Sequence, residues 1–287
     1  MNKVIVAATQ MSCSWDIDEN IAKAERLVRE AAAKGAKIIL LQELFETPYF
    51  CQKEKEEYFD LAKRKNENKA LNHFSKVAAE LKVVLPISFF ERAGNLHFNS
   101  LAVVDADGTI METYRKTHIP DGPCYEEKFY FSPGDTGFKV WDTAYGRIGV
   151  GICWDQWFPE SARVMALKGA EFIFYPTAIG SEPDSDIDSE PHWQRCMQGH
   201  AACNMVPIIA SNRIGKETED ESSMTFYGSS FITDATGQIL VQADRENEAV
   251  LTWEFDRDEL DTFRSTWGLY RDRRPAMYEG ILHKTLE

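Results

Sequence analysis

Six short apolar runs constrain this chain more than any other feature: KVIVAAT (3–9), AKIILLQ (36–42), VVLPISF (83–89), GRIGVGI (146–152), FIFY (172–175) and PIIAS (207–211). Each is rich in Val and Ile and too short for a core helix, so each reads as a buried strand. Helical periodicity separates several of them. Ile21, Ala24, Leu27 and Val28 share one face of a segment that Asp18 opens and Gly35 closes. Leu71–Leu81, Pro159–Leu167 and His192–Asn204 also read as helices. Elsewhere strands follow each other directly. FNSLAVV (98–104) meets IMETY (110–114) across Asp105-Ala-Asp-Gly, and YGSSFIT (227–233) meets QILVQ (238–242) across Asp234-Ala-Thr-Gly. Each half of the chain therefore holds a strand–helix–strand pattern plus a hairpin. Strands this apolar need cover on both faces. A two-sheet α/β sandwich with helices on both outer faces provides it. No linker rich in Gly, Pro or Ser interrupts the pattern, so one domain over 1–287 is expected, with 263–287 as a C-terminal arm carrying the basic run RDRRP.

With 287 residues, 44% of them hydrophobic, the chain has ample material for a core. Its net charge of −14 offers phosphates no basic surface and argues against nucleic-acid binding. No apolar run approaches the roughly 18 residues that span a membrane. The N-terminal apolar stretch is too short for a signal peptide, so a cytoplasmic protein is expected. The six cysteines, at 13, 51, 124, 153, 196 and 203, show no CxxC or zinc-finger spacing. Free thiols are the default for such a protein. Cys196 and Cys203 read as core, and Cys51 and Cys124 as loop residues that could lie near a pocket.

Three polar residues follow strand-like runs: Glu43 after AKIILLQ, Lys116 after ETYR and Cys153 after GRIGVGI. Ligands in α/β folds gather at the carboxyl ends of strands, so these three side chains could share a pocket. A thiolate attacks carbonyl or nitrile carbon, and a neighbouring cation lowers its pKa. Lys116 could be that cation and could also steady an oxyanion. Glu43 could take the thiol proton, pass it to a leaving amine and activate water. A helical turn starting at Cys153 would add the Trp154 N–H as a second oxyanion donor. Taken singly, each residue has a bland reading: a buried small hydrophobe, a solvated lysine, a loop carboxylate. His118, His192 and His200 offer partners for a Cys–His dyad, but their spacing selects none of them.

The set LQELFETPYF (41–50), YRKTHIPD (114–121) and GVGICWDQWFPE (149–160) resembles the nitrilase, or carbon–nitrogen hydrolase, superfamily. The resemblance implies a four-layer α-β-β-α sandwich and cofactor-free hydrolysis of non-peptide C–N bonds. It also implies a catalytic triad of Glu43, Lys116 and Cys153, and assembly into a dimer or larger homo-oligomer. Many members carry a second glutamate. In YEEKFYFSPGD (125–135) Glu127 fits better than Glu126, and would hold Lys116 and share protons with Glu43. Within the superfamily, LFETPYFCQ, HIPDGPCYEEKFYFSPGDTGF, TAIGSEP and WGLYRDRRPAMY resemble the branch that hydrolyses N-carbamoylputrescine to putrescine in polyamine synthesis. That substrate is a ureido amine, and its ammonium tail needs a buried carboxylate. Glu182 is the first candidate and Asp121 the second. Tyr49 could add shape and a hydroxyl contact, and Trp154 could wall the methylene chain or face the cation. Asp184, Asp186 and Asp188 read as solvated loop residues. Neither a metal nor an organic cofactor is called for. The rivals are an N-carbamoyl-β-alanine, ω-amide or nitrile substrate, a non-catalytic binding member and a thiol-redox protein.

Overall fold

The computed structural model describes residues 2–181 and 187–285. In chain order its elements are β1 (Lys3–Gln10), α1 (Ile17–Ala33), β2 (Ile38–Leu40), α2 (Lys69–Leu81), β3 (Leu85–Ala93), β4 (Leu96–Val104), β5 (Ile110–Arg115) and α3 (Glu127–Tyr130). Then follow β6 (Val140–Thr143), β7 (Gly146–Val150), α4 (Pro159–Leu167), β8 (Phe172–Pro176), α5 (Glu190–Asn204) and β9 (Ile208–Ser211). The chain closes with β10 (Ile214–Glu219), β11 (Ser222–Tyr227), β12 (Phe231–Thr233), β13 (Ile239–Gln242), β14 (Ala249–Asp256) and α6 (Arg257–Trp267), with short 3-10 turns beyond. The helix starts have local causes. The Asp16 carboxylate accepts the Asp18 and Glu19 N–H groups ahead of α1, Asn68 accepts the Leu71 N–H ahead of α2, and Pro159 opens α4.

Two sheets face each other. One runs β13-β12-β9-β8-β7-β6. The other joins β14-β1-β2 to β3-β4-β5 through a parallel bridge between Ile38 and Val84. Side chains alternate across each strand. Val4, Val6 and Ala8 of β1 and Phe172 and Phe174 of β8 point into the layer between the sheets. Ala7 of β1 packs instead with Leu27 and Val28 of α1 and Phe74 of α2, while Ile173 and Tyr175 of β8 pack with Met165 of α4 and Trp193 of α5. The layers are therefore helix, sheet, sheet, helix, as expected.

Several expectations need correction. Only Ile38–Leu40 of AKIILLQ is paired as strand, so Leu41–Glu43 leave the sheet. Tyr227 belongs to β11 and not to the strand that meets QILVQ. Cys203 is exposed and Cys196 only half buried, because the buried face of α5 is Trp193, Met197 and Ala201. Cys203 lies two residues past that stripe, on the far side of the helix. The 263–287 arm begins inside α6. Among the described residues no helix is long and apolar enough to cross a membrane.

Candidate active site

The strand directions bring three chain segments to one edge. β2 runs parallel to β1, β3 continues parallel to β2, and β4 and β5 are successive antiparallel neighbours. β5 therefore points the same way as β2, and the chain leaves both at the same edge, carrying Glu43 and Lys116. In the other sheet β7, β8 and β9 are parallel, and Cys153 follows β7. The Glu43 N–H donates to the Thr177 carbonyl just beyond β8 at 3.4 Å, so the two edges meet.

Glu43, Lys116 and Glu127 are fully buried, and Cys153 nearly so. Lys116 Nζ donates to Glu43 Oε1 at 2.9 Å and to Glu127 Oε2 at 2.7 Å. Asn99 Nδ2 also donates to Glu43 Oε1, at 2.7 Å. Glu43 Oε2 is buried and accepts no hydrogen bond among the described residues. Glu126 is only half buried, so the lysine's second carboxylate is Glu127.

The electrostatics follow from burial. Desolvation works against the Lys116 ammonium, but Glu127 and Glu43 outweigh it and hold its pKa well above the lysine range. Burial raises the Glu127 carboxyl, helped by Glu43 and opposed by Lys116. Burial also pushes the Cys153 thiol well above the thiol range. Glu43 adds to that, and Lys116 offsets only part of it. The expected lowering of the thiol by Lys116 is therefore overridden, and Cys153 rests as a thiol. Such a group can attack only if a base removes its proton during the attack.

Cys153 opens a 3-10 turn, Cys153–Trp157, and sits at φ 42°. That left-handed conformation is uncommon for a residue with a side chain. Trp154 is the second residue of the turn, where an N–H has no intrahelical acceptor. The residue is 38% exposed, and its indole meets Trp157 edge-on at 6.2 Å.

Of the expected substrate-binding residues, Tyr49 and Trp154 lie beside the buried network and Cys153. Tyr49 is buried, and its hydroxyl donates to Glu127 Oε1 at 2.7 Å, so in this state it holds a carboxylate. Asp121 stands at the surface, 3.8 Å from Lys128. Glu182, Asp184 and Asp186 lie outside the described residues, and Asp188 pairs with Arg245 at 2.7 Å. Cys51 is buried, and its carbonyl accepts the Glu126 N–H at 2.8 Å. Cys196 and His200 lie 3.6 Å apart, but burial raises the thiol and lowers the imidazole, which is the wrong way for an ion-pair dyad. No group of His, Cys, Asp and Glu among the described residues could hold a metal ion.

A family model described as carbon–nitrogen hydrolase matches residues 5–265. The chain belongs to the carbon–nitrogen hydrolase family. It is 58% identical to an N-carbamoylputrescine amidase of Arabidopsis thaliana over 98% of this chain and 95% of that one. It is 56% identical to a citrullinase of Francisella tularensis over 99% and 100%. The crystal structure of a carbon–nitrogen hydrolase from Helicobacter pylori superposes with a TM-score of 0.93 at 40% identity, covering 99% of this chain and 100% of that one.

Three polar residues of this carbon–nitrogen hydrolase went unread in the sequence. Asn99 lies inside β4, where FNSLAVV reads only as strand. Arg213 follows β9 fully buried. Its Nη2 donates to the Glu43 and Leu44 carbonyls at 2.9 and 3.1 Å, and its Nη1 to Glu217 at 2.8 Å. Glu217 in turn accepts the Tyr49 N–H at 2.6 Å. Asp155, also fully buried, is the third. A charged residue in an apolar run is the one signal that could have flagged Arg213 and Asp155, since unpaired charges are seldom buried.

Proposed function

We propose that this hydrolase cleaves N-carbamoylputrescine to putrescine, ammonia and CO₂ with Cys153 as nucleophile, Glu43 as base and acid, Lys116 as oxyanion donor and Glu127 as the lysine's second carboxylate. The observation that carries the chemistry is the buried Glu43–Lys116–Glu127 network with one carboxylate oxygen left open. As the thiol attacks the ureido carbon, Glu43 Oε2 takes its proton. The developing oxyanion rests on Lys116 and the Trp154 N–H. Ammonia leaves, protonated through Glu43, and a carbamoyl thioester remains on Cys153. Water, its proton taken by Glu43, hydrolyses that bond and restores the thiol. The freed carbamic acid then loses CO₂ to give the amine. Only side chains, backbone and water take part.

The substrate choice is supported by the relatives' names. The substrates in the names of an N-carbamoylputrescine amidase and a citrullinase share a ureido head and differ in the tail. For the tail we propose Glu182 or, second, Asp121 as the ammonium's carboxylate, with Tyr49 and Trp154 as pocket walls. The near-equal identity to a citrullinase makes citrulline the second reading. Ammonia release from N-carbamoylputrescine, citrulline, N-carbamoyl-β-alanine and glutaramate tests both. We expect the highest kcat/KM on N-carbamoylputrescine and none in Cys153→Ser. A higher value on any other member moves the substrate there, and a fully active Cys153→Ser removes the mechanism. The reading also includes a single domain that self-associates. Exposed Trp267, Met277, Ile281 and Leu282 on the C-terminal arm favour self-association.

A further inference from the structure

Cys153 is held in a left-handed conformation, and something must keep it there. Asp155 lies two residues on, fully buried. Its N–H donates to the Ile152 carbonyl at 3.0 Å, and its Oδ2 accepts the Ile152 N–H at 2.9 Å. Both polar groups of the residue before Cys153 thus end on the residue two beyond it, and the turn carrying the thiol is closed on itself.

The same carboxylate reaches the chain that carries Lys116. Oδ2 also accepts the Tyr114 hydroxyl at 2.7 Å. Oδ1 accepts the His118 N–H at 3.1 Å and faces His118 Nδ1 at 2.8 Å. Tyr114 and His118 bracket Lys116, two residues before and two after. Four donors fill the two oxygens of one carboxylate, which is its full capacity. No lysine or arginine pairs with Asp155 among the described residues, so these donors are its side-chain oxygens' partners. His118 is kept in place by its ring, which stacks on Phe158 at 3.6 Å and 6°.

We infer that Asp155 is a positioning residue that locks the Cys153 turn to the Lys116 segment, so that thiol and ammonium keep one mutual geometry, and that His118 is its outer anchor. The two segments come from different sheets, and Asp155 bonds to both directly. A carboxylate suits the position because all four contacts arrive as donors. An amide would turn its NH₂ toward at least one of them.

The test uses the full chain and the best ureide substrate of the parent. Asp155→Asn should lower kcat about 100-fold, the scale of a displacement near 1 Å at a reacting group. KM should stay within about threefold, since the lost geometry matters in the transition state. Iodoacetamide should alkylate Cys153 about tenfold more slowly or worse, because Glu43 no longer meets the thiol proton. This last readout needs no substrate, so it stands even if the ureide assignment fails. A second pair of variants separates positioning from mere folding. His118→Asn keeps a donor near Nδ1 and loses the ring, while His118→Phe keeps the stack and loses the donor. We expect the Asn variant to be about tenfold faster in kcat, the worth of one hydrogen bond to a charged group. The inference is overturned by a folded Asp155→Asn with kcat within about threefold of the parent. A loss confined to KM, an unchanged alkylation rate or a faster His118→Phe would overturn it equally. If Asp155→Asn does not fold, the His118 pair decides.

Discussion

Glu43, Lys116 and Glu127 bring two carboxylates and one ammonium into full burial, so pairing alone leaves one negative charge. A proton on a carboxyl relieves it at least cost, and the raised pKa of Glu127 expresses that pressure. The consequence for stability has a definite sign. Between the ordinary carboxyl value of 4.5 and its higher folded value, the folded chain keeps a proton on Glu127 that the unfolded chain has lost. Stability from this group is therefore complete below pH 4.5 and falls as pH rises through the folded value. Glu127→Gln removes that fall. Thermal melts of parent and variant should converge toward low pH and separate, variant higher, as pH rises from 4.5. Parallel curves would refute the assignment. Turnover should drop about 100-fold in the same variant. Single residues were legible where local sequence carries their context. Glu43, Lys116 and Cys153 each follow a recognisable strand, and Lys116 donates to Glu43 at 2.9 Å. Asn99, Asp155 and Arg213 were not legible, because most of their partners are distant in sequence. Glu43 lies 56 residues from Asn99 and 170 from Arg213.

At the scale of elements, the turn after β2 is fastened from outside. Arg213 donates to carbonyls at Glu43, Leu44 and Thr47, and its carboxylate partner Glu217, on β10, takes the N–H of Tyr49. Ring contact of Tyr49 with Phe226 on β11, at 5.8 Å, adds a further hold. The β10–β11 hairpin thus fixes Glu43 and, through Tyr49, Glu127. Arg213→Met leaves Glu217 buried without its cation, a loss of about 3–5 kcal/mol. Urea denaturation should read that loss, and a cost under about 1 kcal/mol would mean the turn does not depend on the pair. Neither β10 nor β11 was visible beforehand. Their sequence, IGKETEDESSMTFY, is dominated by charged and small polar residues, most of them exposed but Glu217 and Ser222 buried, so no apolar run marks the strands. β14 escaped for another reason. It pairs with β1 from Lys3–Asp256 to Gln10–Ala249, a partnership across most of the chain that no local pattern announces. Helices were easier. Pro159–Leu167 was bounded correctly, because proline at the first turn and the glycine after Lys168 mark both ends.

For the molecule as a whole, the layer between the sheets decides whether a site exists at all. Phe174 of β8 is fully buried there with Val150 and Ile152, the residues that lead into Cys153. Phe174→Ala should cost about 3–5 kcal/mol, read as a shift in the denaturation midpoint. A cost under about 1.5 kcal/mol, the range of tolerated swaps, would mean this layer is loosely packed. The arrangement of layers is legible in the sequence, since short continuous apolar runs alternating with period-3.6 segments leave few other ways to bury both faces of the strands. One feature reaches further than catalysis. A thiol that is 5% exposed and held protonated by burial and by Glu43 offers oxidants almost no thiolate. Cys153 should keep its full thiol titre through storage in air without added reductant, while surface Cys203 oxidises first.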